Sequence, residues 1–141
     1  MVLLILTTLC AGLFAGASLY INLVEHPARV SCGTEFALRE FAPSYARAAV
    51  MQASLALVGL AAGVAAWWLA RDPWVLAAAV LLGAVVPYTL LVMMPTNQHI
   101  LHPALDATPP EKLRLLARWG RLHAVRTVLS LSAFVILVAR S

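Results

Sequence analysis

Four long apolar runs, at positions 2–24, 46–70, 74–94 and 123–139, constrain this chain more than any other feature. A helix needs roughly 20 apolar residues to cross a hydrocarbon core about 30 Å thick. Lipid offers no partner to a stray backbone N–H or C=O, so each run closes its hydrogen bonds as a helix, and none alternates as a barrel strand does. Composition agrees. Of 141 residues 62% are hydrophobic, with 10 Lys+Arg and 6 Asp+Glu, whereas a soluble domain is about 25% charged. A soluble globule and a disordered chain are both excluded. The expected fold is all-α: one membrane domain over 1–141, an up-down-up-down four-helix bundle with the lipid bilayer as its partner.

Only Arg71-Asp72-Pro73 separates the second and third runs, which makes them antiparallel neighbours with Pro73 opening a helix. The other two links read as long and polar. The last carries an amphipathic stretch, Pro109 to Arg121, expected as a short helix before the fourth span. The first run lacks a basic leader and is too long for a secretory h-region, so it reads as a retained helix.

Basic residues sit in the gaps between runs and mark orientation, not a phosphate-binding stripe; no nucleic-acid partner is expected. The first and third links with their flanks hold Arg29, Arg39, Arg47, Lys112, Arg114, Arg118, Arg121 and Arg126, against Arg71 and Arg140 opposite. That bias puts the long links in the cytoplasm and both termini outside, in a bacterial inner membrane. Cys10 lies in a span and Cys32 in a cytoplasmic link, so no disulfide is expected. Gly12/Gly16 and Gly59/Gly63 give two G-x-x-x-G faces that permit close helix approach. Such faces are also compatible with a homo-oligomer. Pro87 should kink the third span or free a carbonyl.

Polar groups in a bilayer are expensive, so their positions carry information. Asn22, Glu25 and His26 share a face of the first helix at i, i+3 and i+4. Ser44, Tyr45 and Arg47 open the second, with Gln52 deeper. Thr96, Asn97, Gln98 and His99 end the third, followed by His102. Trp119, His123 and Arg126 form a stripe at i, i+4 and i+7 in the fourth. Headgroup anchoring accounts for Arg29, Arg39, Arg114 and Arg118. Glu25, His26, His123 and Arg126 fit it poorly, because acids are poor anchors and the group shares faces. The expectation is a polar site at one membrane face. His26-Pro27-Ala28 and His102-Pro103-Ala104 also repeat, each 21 residues before Arg47 and His123 respectively. This reads either as a duplicated hairpin or as Pro ending a helix twice.

Such a cluster can do acid–base chemistry, bind a metal or relay protons. H-E-x-x-H spacing is absent, so a metal site would draw Glu25, His26, His99 and His123 from different helices. The cofactor expectation is none, or a transition metal, copper or iron, held by His and Glu. Haem is less favoured, as C-x-x-C-H is missing. Phosphate loops are missing too.

Gly12-Leu13-Phe14-Ala15-Gly16, leading to Asn22-Leu23-Val24-Glu25-His26-Pro27-Ala28-Arg29, resembles the opening of the anthrone-oxygenase-like family. Pro43-Ser44-Tyr45-Ala46-Arg47-Ala48, Pro95-Thr96-Asn97 and Trp119-Gly120-Arg121-Leu122-His123-Ala124-Val125-Arg126-Thr127 extend the resemblance across nearly the whole chain. The resemblance implies a small four-helix membrane protein and, from some fungal members, a monooxygenase that converts anthrones to anthraquinones with O2. It would make His123 and His26 candidate bases and Arg126 and Arg47 oxyanion partners. Trp119 and Tyr45 would stack an apolar aromatic, Asn97 would help bind it, and Glu25 would orient a His or ligate a metal. The leading expectation is thus a membrane oxygenase or oxidoreductase acting on an anthrone- or quinol-like molecule from the cytoplasmic face. The alternatives are a non-enzymatic accessory or transport protein whose cluster binds a metal or relays protons, and a structural helper in a larger complex.

Overall fold

The computed structural model describes residues 1–102 and 105–140. Four helices are long and apolar enough to cross a membrane: α1 (Val2–Ser31), α2 (Thr34–Ala70), α3 (Pro73–Leu101) and α4 (Pro109–Ala139). Each packs on its sequence neighbours and α4 closes back on α1, so the chain is an up-down-up-down bundle. The protein is an integral membrane four-helix bundle.

The helices outrun the apolar runs that announce them. At 1.5 Å per residue, the 37 residues of α2 reach about 55 Å, well past the hydrocarbon. Apolarity marks where lipid ends, not where the helical backbone ends. The link expected to be long between the first two spans is therefore only Cys32 and Gly33, the latter at φ 103, a conformation that favours glycine. Likewise the stretch from Pro109 to Arg121 is not a separate helix but the opening turns of α4. Thr108 caps it: its N–H donates to Glu111 Oε2 at 2.7 Å. The extensions pair with each other, Lys112 Nζ lying 2.7 Å from an exposed Glu35.

At the opposite end Arg71 adopts the left-handed conformation, Asp72 caps α3 by accepting from the Trp74 N–H at 2.9 Å, and Pro73 takes the first helical position. Arg140 reaches across from α4 to Asp72 at 2.7 Å. Burial works against the Asp72 charge, but the Trp74 and Arg140 hydrogen bonds outweigh it and hold the carboxyl below its usual range.

Of the four glycines in the two G-x-x-x-G faces, three sit at close approaches. A Cβ on Gly59 would fall 2.5 Å from Leu82, one on Gly63 2.5 Å from Ala79, and one on Gly12 2.8 Å from Phe134; Gly16 meets nothing within 4 Å. Two prolines, Pro27 in α1 and Pro95 in α3, follow wide turns. Pro27 cannot hydrogen-bond to the carbonyl four residues back, and the π-helical turn Ile21–Glu25 lets α1 continue past it. His26-Pro27 thus does not end a helix. The second His-Pro-Ala lies partly outside the described residues, at Pro103 and Ala104. In α3 the break falls at Ala84, three residues before Pro87, and a second π-helical turn spans Thr89–Met93.

The core is in two parts. One apolar cluster near the termini gathers Cys10, Phe14, Ala56, Leu82, Ala133 and Leu137. The other gathers Ile21, Phe41, Met93, Ile100, Leu116 and Trp119. Between them along α1, α2 and α4 lie buried polar side chains: Ser18, Gln52, His123, Arg126 and Thr127.

Candidate functional site

Asn22 organises the polar layer. Set in the wide turn of α1, it donates from Nδ2 to the Gly120 carbonyl at 3.0 Å. That fixes the amide, so Oδ1 accepts from Thr127 Oγ1 at 2.5 Å and from His123 Nδ1 at 2.8 Å. With Nδ1 carrying the hydrogen, the lone pair of the neutral ring sits on Nε2. His123 is buried and lines a cavity of about 230 Å³.

Trp119 holds the ring from one side. It stacks on His123 with centroids 4.8 Å apart and meets His26 at the same separation. Its Nε1 donates to Asn97 Oδ1 at 2.9 Å, and Asn97 Nδ2 donates to Tyr45 at 3.3 Å. One amide therefore ties together the two rings expected to stack a ligand. His26 Nε2 donates to the Leu116 carbonyl at 2.9 Å, and its ring lies 3.0 Å from where a Gly120 Cβ would be. His26 does not line the cavity. Glycine at 120 leaves its ring room.

Arg126 lies one turn below His123 in the same cavity wall. Its Nη2 donates to Gln52 Oε1 at 2.8 Å, Gln52 Nε2 donates to Ser18 Oγ at 3.1 Å, and the guanidinium faces Phe14 at 5.3 Å. Among the described residues no carboxylate pairs with it, and its Nε has no hydrogen-bond partner. An unpaired guanidinium inside a membrane bundle is costly unless something answers its charge. The cavity is where that something would sit.

The far end of the cavity is ionic. Arg29 is only 5% exposed; it pairs with Glu25, with Glu40 at 2.9 Å, and donates to Ser44 at 3.2 Å. Ser44 donates to Glu25 at 2.6 Å. The headgroup-anchor expectation for Arg29 is corrected: it is a buried hub of a polar cluster. Four aromatic rings, Phe14, Phe41, Tyr45 and Trp119, complete the walls.

The structure thus brings Glu25, Tyr45, Trp119, His123 and Arg126 to one cavity, with Asn97 and His26 behind its wall. It does not bring Arg47 or His99, which are exposed. Arg47 is two residues from Tyr45, about 200° around the helix at 3.6 residues per turn. Arg47 and His123 are therefore not in equivalent places. Gly120, Gln52, Ser44 and Phe14 belong to the site but drew little or no attention in the sequence, since each gains meaning only from a partner on another helix.

The expected metal donors do not fit a metal. Among the described residues no three of His, Cys, Asp and Glu come together as a ligand set. Glu25 is engaged by Arg29 and Ser44, His26 by a carbonyl, and His99 lies outside.

A family model described as anthrone oxygenase matches residues 41–136. Anthrone oxygenase tpcL of Aspergillus fumigatus is 42% identical over 64 residues, covering 42% of this chain and 38% of the relative. The chain thus matches well under two thirds of that curated relative's length. No solved structure matches. The matched span includes Tyr45, Gln52, Asn97, Trp119, His123 and Arg126 and leaves out Asn22 and Glu25. Since the family model covers more than half of the residues, the chain belongs to the anthrone oxygenase family.

Proposed function

We propose that this protein is a membrane oxygenase that deprotonates an electron-rich apolar aromatic of the anthrone class and directs its oxidation by O2 to a quinone. The observation that carries the reading is the pairing, in one cavity, of a histidine fixed with Nε2 as its lone-pair nitrogen and an arginine with no counter-ion among the described residues.

The reaction asks for little else. His123 Nε2 removes a proton from the ring CH2, and the negative charge moves onto the carbonyl oxygen, which Arg126 stabilises. The enolate carbon gives electrons to O2 and forms a C–O bond, and the imidazolium protonates the distal oxygen to give a hydroperoxide. Nε2 then takes the second proton from the same carbon, the O–O bond breaks, and the carbon becomes a carbonyl. The departing hydroxide collects the proton as water. Two C–H bonds are oxidised and one O2 is reduced, so no further reductant is needed. Asn22 keeps His123 in the competent tautomer throughout, while Trp119 and Tyr45 flank the ring system.

The test is oxygen uptake and quinone absorbance with anthrone and the purified protein in nanodiscs. Native protein should consume one O2 per quinone formed, and His123→Ala should lose about 10²–10⁴-fold in rate. Arg47→Ala should stay near native. Quinone formed no faster than by autoxidation would sink the reading and move the chain to the accessory-protein class.

A further inference from the structure

The cavity is sealed on one side of the bundle and open on the other. Its lining from α4, namely Trp119, His123 and Arg126, is buried, as are Phe14 and Ile21 of α1. Apart from Glu25 at the ionic end, every lining residue that keeps exposure belongs to α2 or α3, with Ala53 and Leu90 the most open.

The backbone explains the gap. Nearer the termini Gly59 and Gly63 hold α2 hard against Leu82 and Ala79 of α3. Beyond Gly83 the α3 helix breaks at Ala84, Pro87 lacks a donor, and Thr89–Met93 widens into its π-helical turn. Over that turn no Cα of α3 comes within 8 Å of a Cα of α2. The two helices are locked together near the termini, part over that turn, and meet again over Met94–Leu101, where Asn97 donates to Tyr45.

We infer that the gap between α2 and α3 is a lateral window through which a planar, apolar, lipid-dissolved molecule enters the cavity from within the bilayer. Ala49, Ala53, Val86 and Leu90 give it an apolar rim in the apolar part of both helices. The route from water instead passes Arg29, which is buried under ion pairs to Glu25 and Glu40. An apolar aromatic is concentrated in lipid by the same transfer energetics that place these helices there. Aromatic walls suit a planar occupant better than a flexible acyl chain, since offset and edge-to-face ring contacts add to area burial. The ligand class rests on the proposed function; the window rests on the helix geometry.

The test is ¹⁹F exchange spectroscopy with 2-fluoroanthraquinone, a product-class molecule that is not turned over, and the full chain in nanodiscs. Exchange between bilayer-dissolved and bound signals gives entry and exit rates directly. Native protein should show a bound signal that saturates at one per chain. Narrowing the window with Ala49→Leu plus Ala53→Leu should slow entry and exit alike, severalfold, while Leu90→Ala should speed both. Unchanged rates in both variants, a variant that only speeds exit, or no saturable bound signal, as an acyl-chain occupant would leave, each overturns the window. Gated binding by a protein that oxidises no anthrone fails the oxygenase reading and keeps the window; anthrone oxidation with unaltered exchange rates does the reverse.

Discussion

His123 holds its Nδ1 2.8 Å from the Oδ1 of Asn22, across a sequence separation of 101 residues. Since Asn22 also donates to Gly120, its amide cannot turn over without losing that bond and presenting a donor to Thr127 and His123. Asn22→Leu keeps the volume and removes the acceptor. The partner that orients a metal-bound histidine is worth about 10–100-fold, and with the base here held the same way kcat for anthrone should fall by about that order with KM little changed. Thr127→Val, which removes only a competing donor, should be milder. Native kcat in Asn22→Leu would show that the tautomer is set elsewhere.

Arg126→Lys separates charge from geometry. Lysine keeps the cation but not the planar fork that donates to Gln52 while facing the cavity. Removing one donor from an oxyanion site costs about 10²–10³ in kcat, and a fall of that order is the expected result, with membrane insertion unchanged by protease protection. Near-native turnover would reduce Arg126 to a packing role against Phe14.

The spans and the Trp119–His123–Arg126 stripe are legible in the sequence because helical periodicity within one element decides them. What is not legible is which face of an apolar helix turns inward. Lipid and core are equally apolar, so nothing in α2 announces that Tyr45 and Gln52 look in while Arg47 looks out. Arg29 shows the same gap from the other side. At a helix end it reads as an anchor, and only the arrival of Glu40 and Ser44 from α2 makes it a buried hub. His26 is legible as a polar group worth noting, but its carbonyl partner on α4 cannot be read from α1.

The glycines make opposite predictions from one motif. Gly63→Ala places a methyl 2.5 Å from Ala79 Cβ and 3.0 Å from Thr7, which should cost about 1–3 kcal/mol as overpacking. Gly16→Ala meets nothing within 4 Å and should be neutral or slightly stabilising through helix propensity. Thermal unfolding of the two variants in the same detergent checks the ranking. Equal stability would mean that α2 and α3 can part at Gly63 without loss.

Orientation is the last prediction, and the chain carries its own reporter. Cys32 is exposed in the link between α1 and α2, whereas Cys10 is buried. The basic residues gathered at that end of the bundle and its flanks should hold it on the cytoplasmic side of the membrane, because positive loops resist translocation. A membrane-impermeant maleimide added to intact cells should therefore leave native Cys32 unlabelled and react only after the membrane is opened. Moving the thiol with Cys32→Ser plus Val2→Cys, at a position 75% exposed near the amino terminus, should reverse the pattern. Cys introduced at Ala107 in a Cys32→Ser chain should behave as Cys32 does, since both belong to the end that also carries Glu35 and Lys112. Labelling of Cys32 in intact cells, with Val2→Cys protected, would invert the protein and place the ionic end of the cavity outside the cytoplasm.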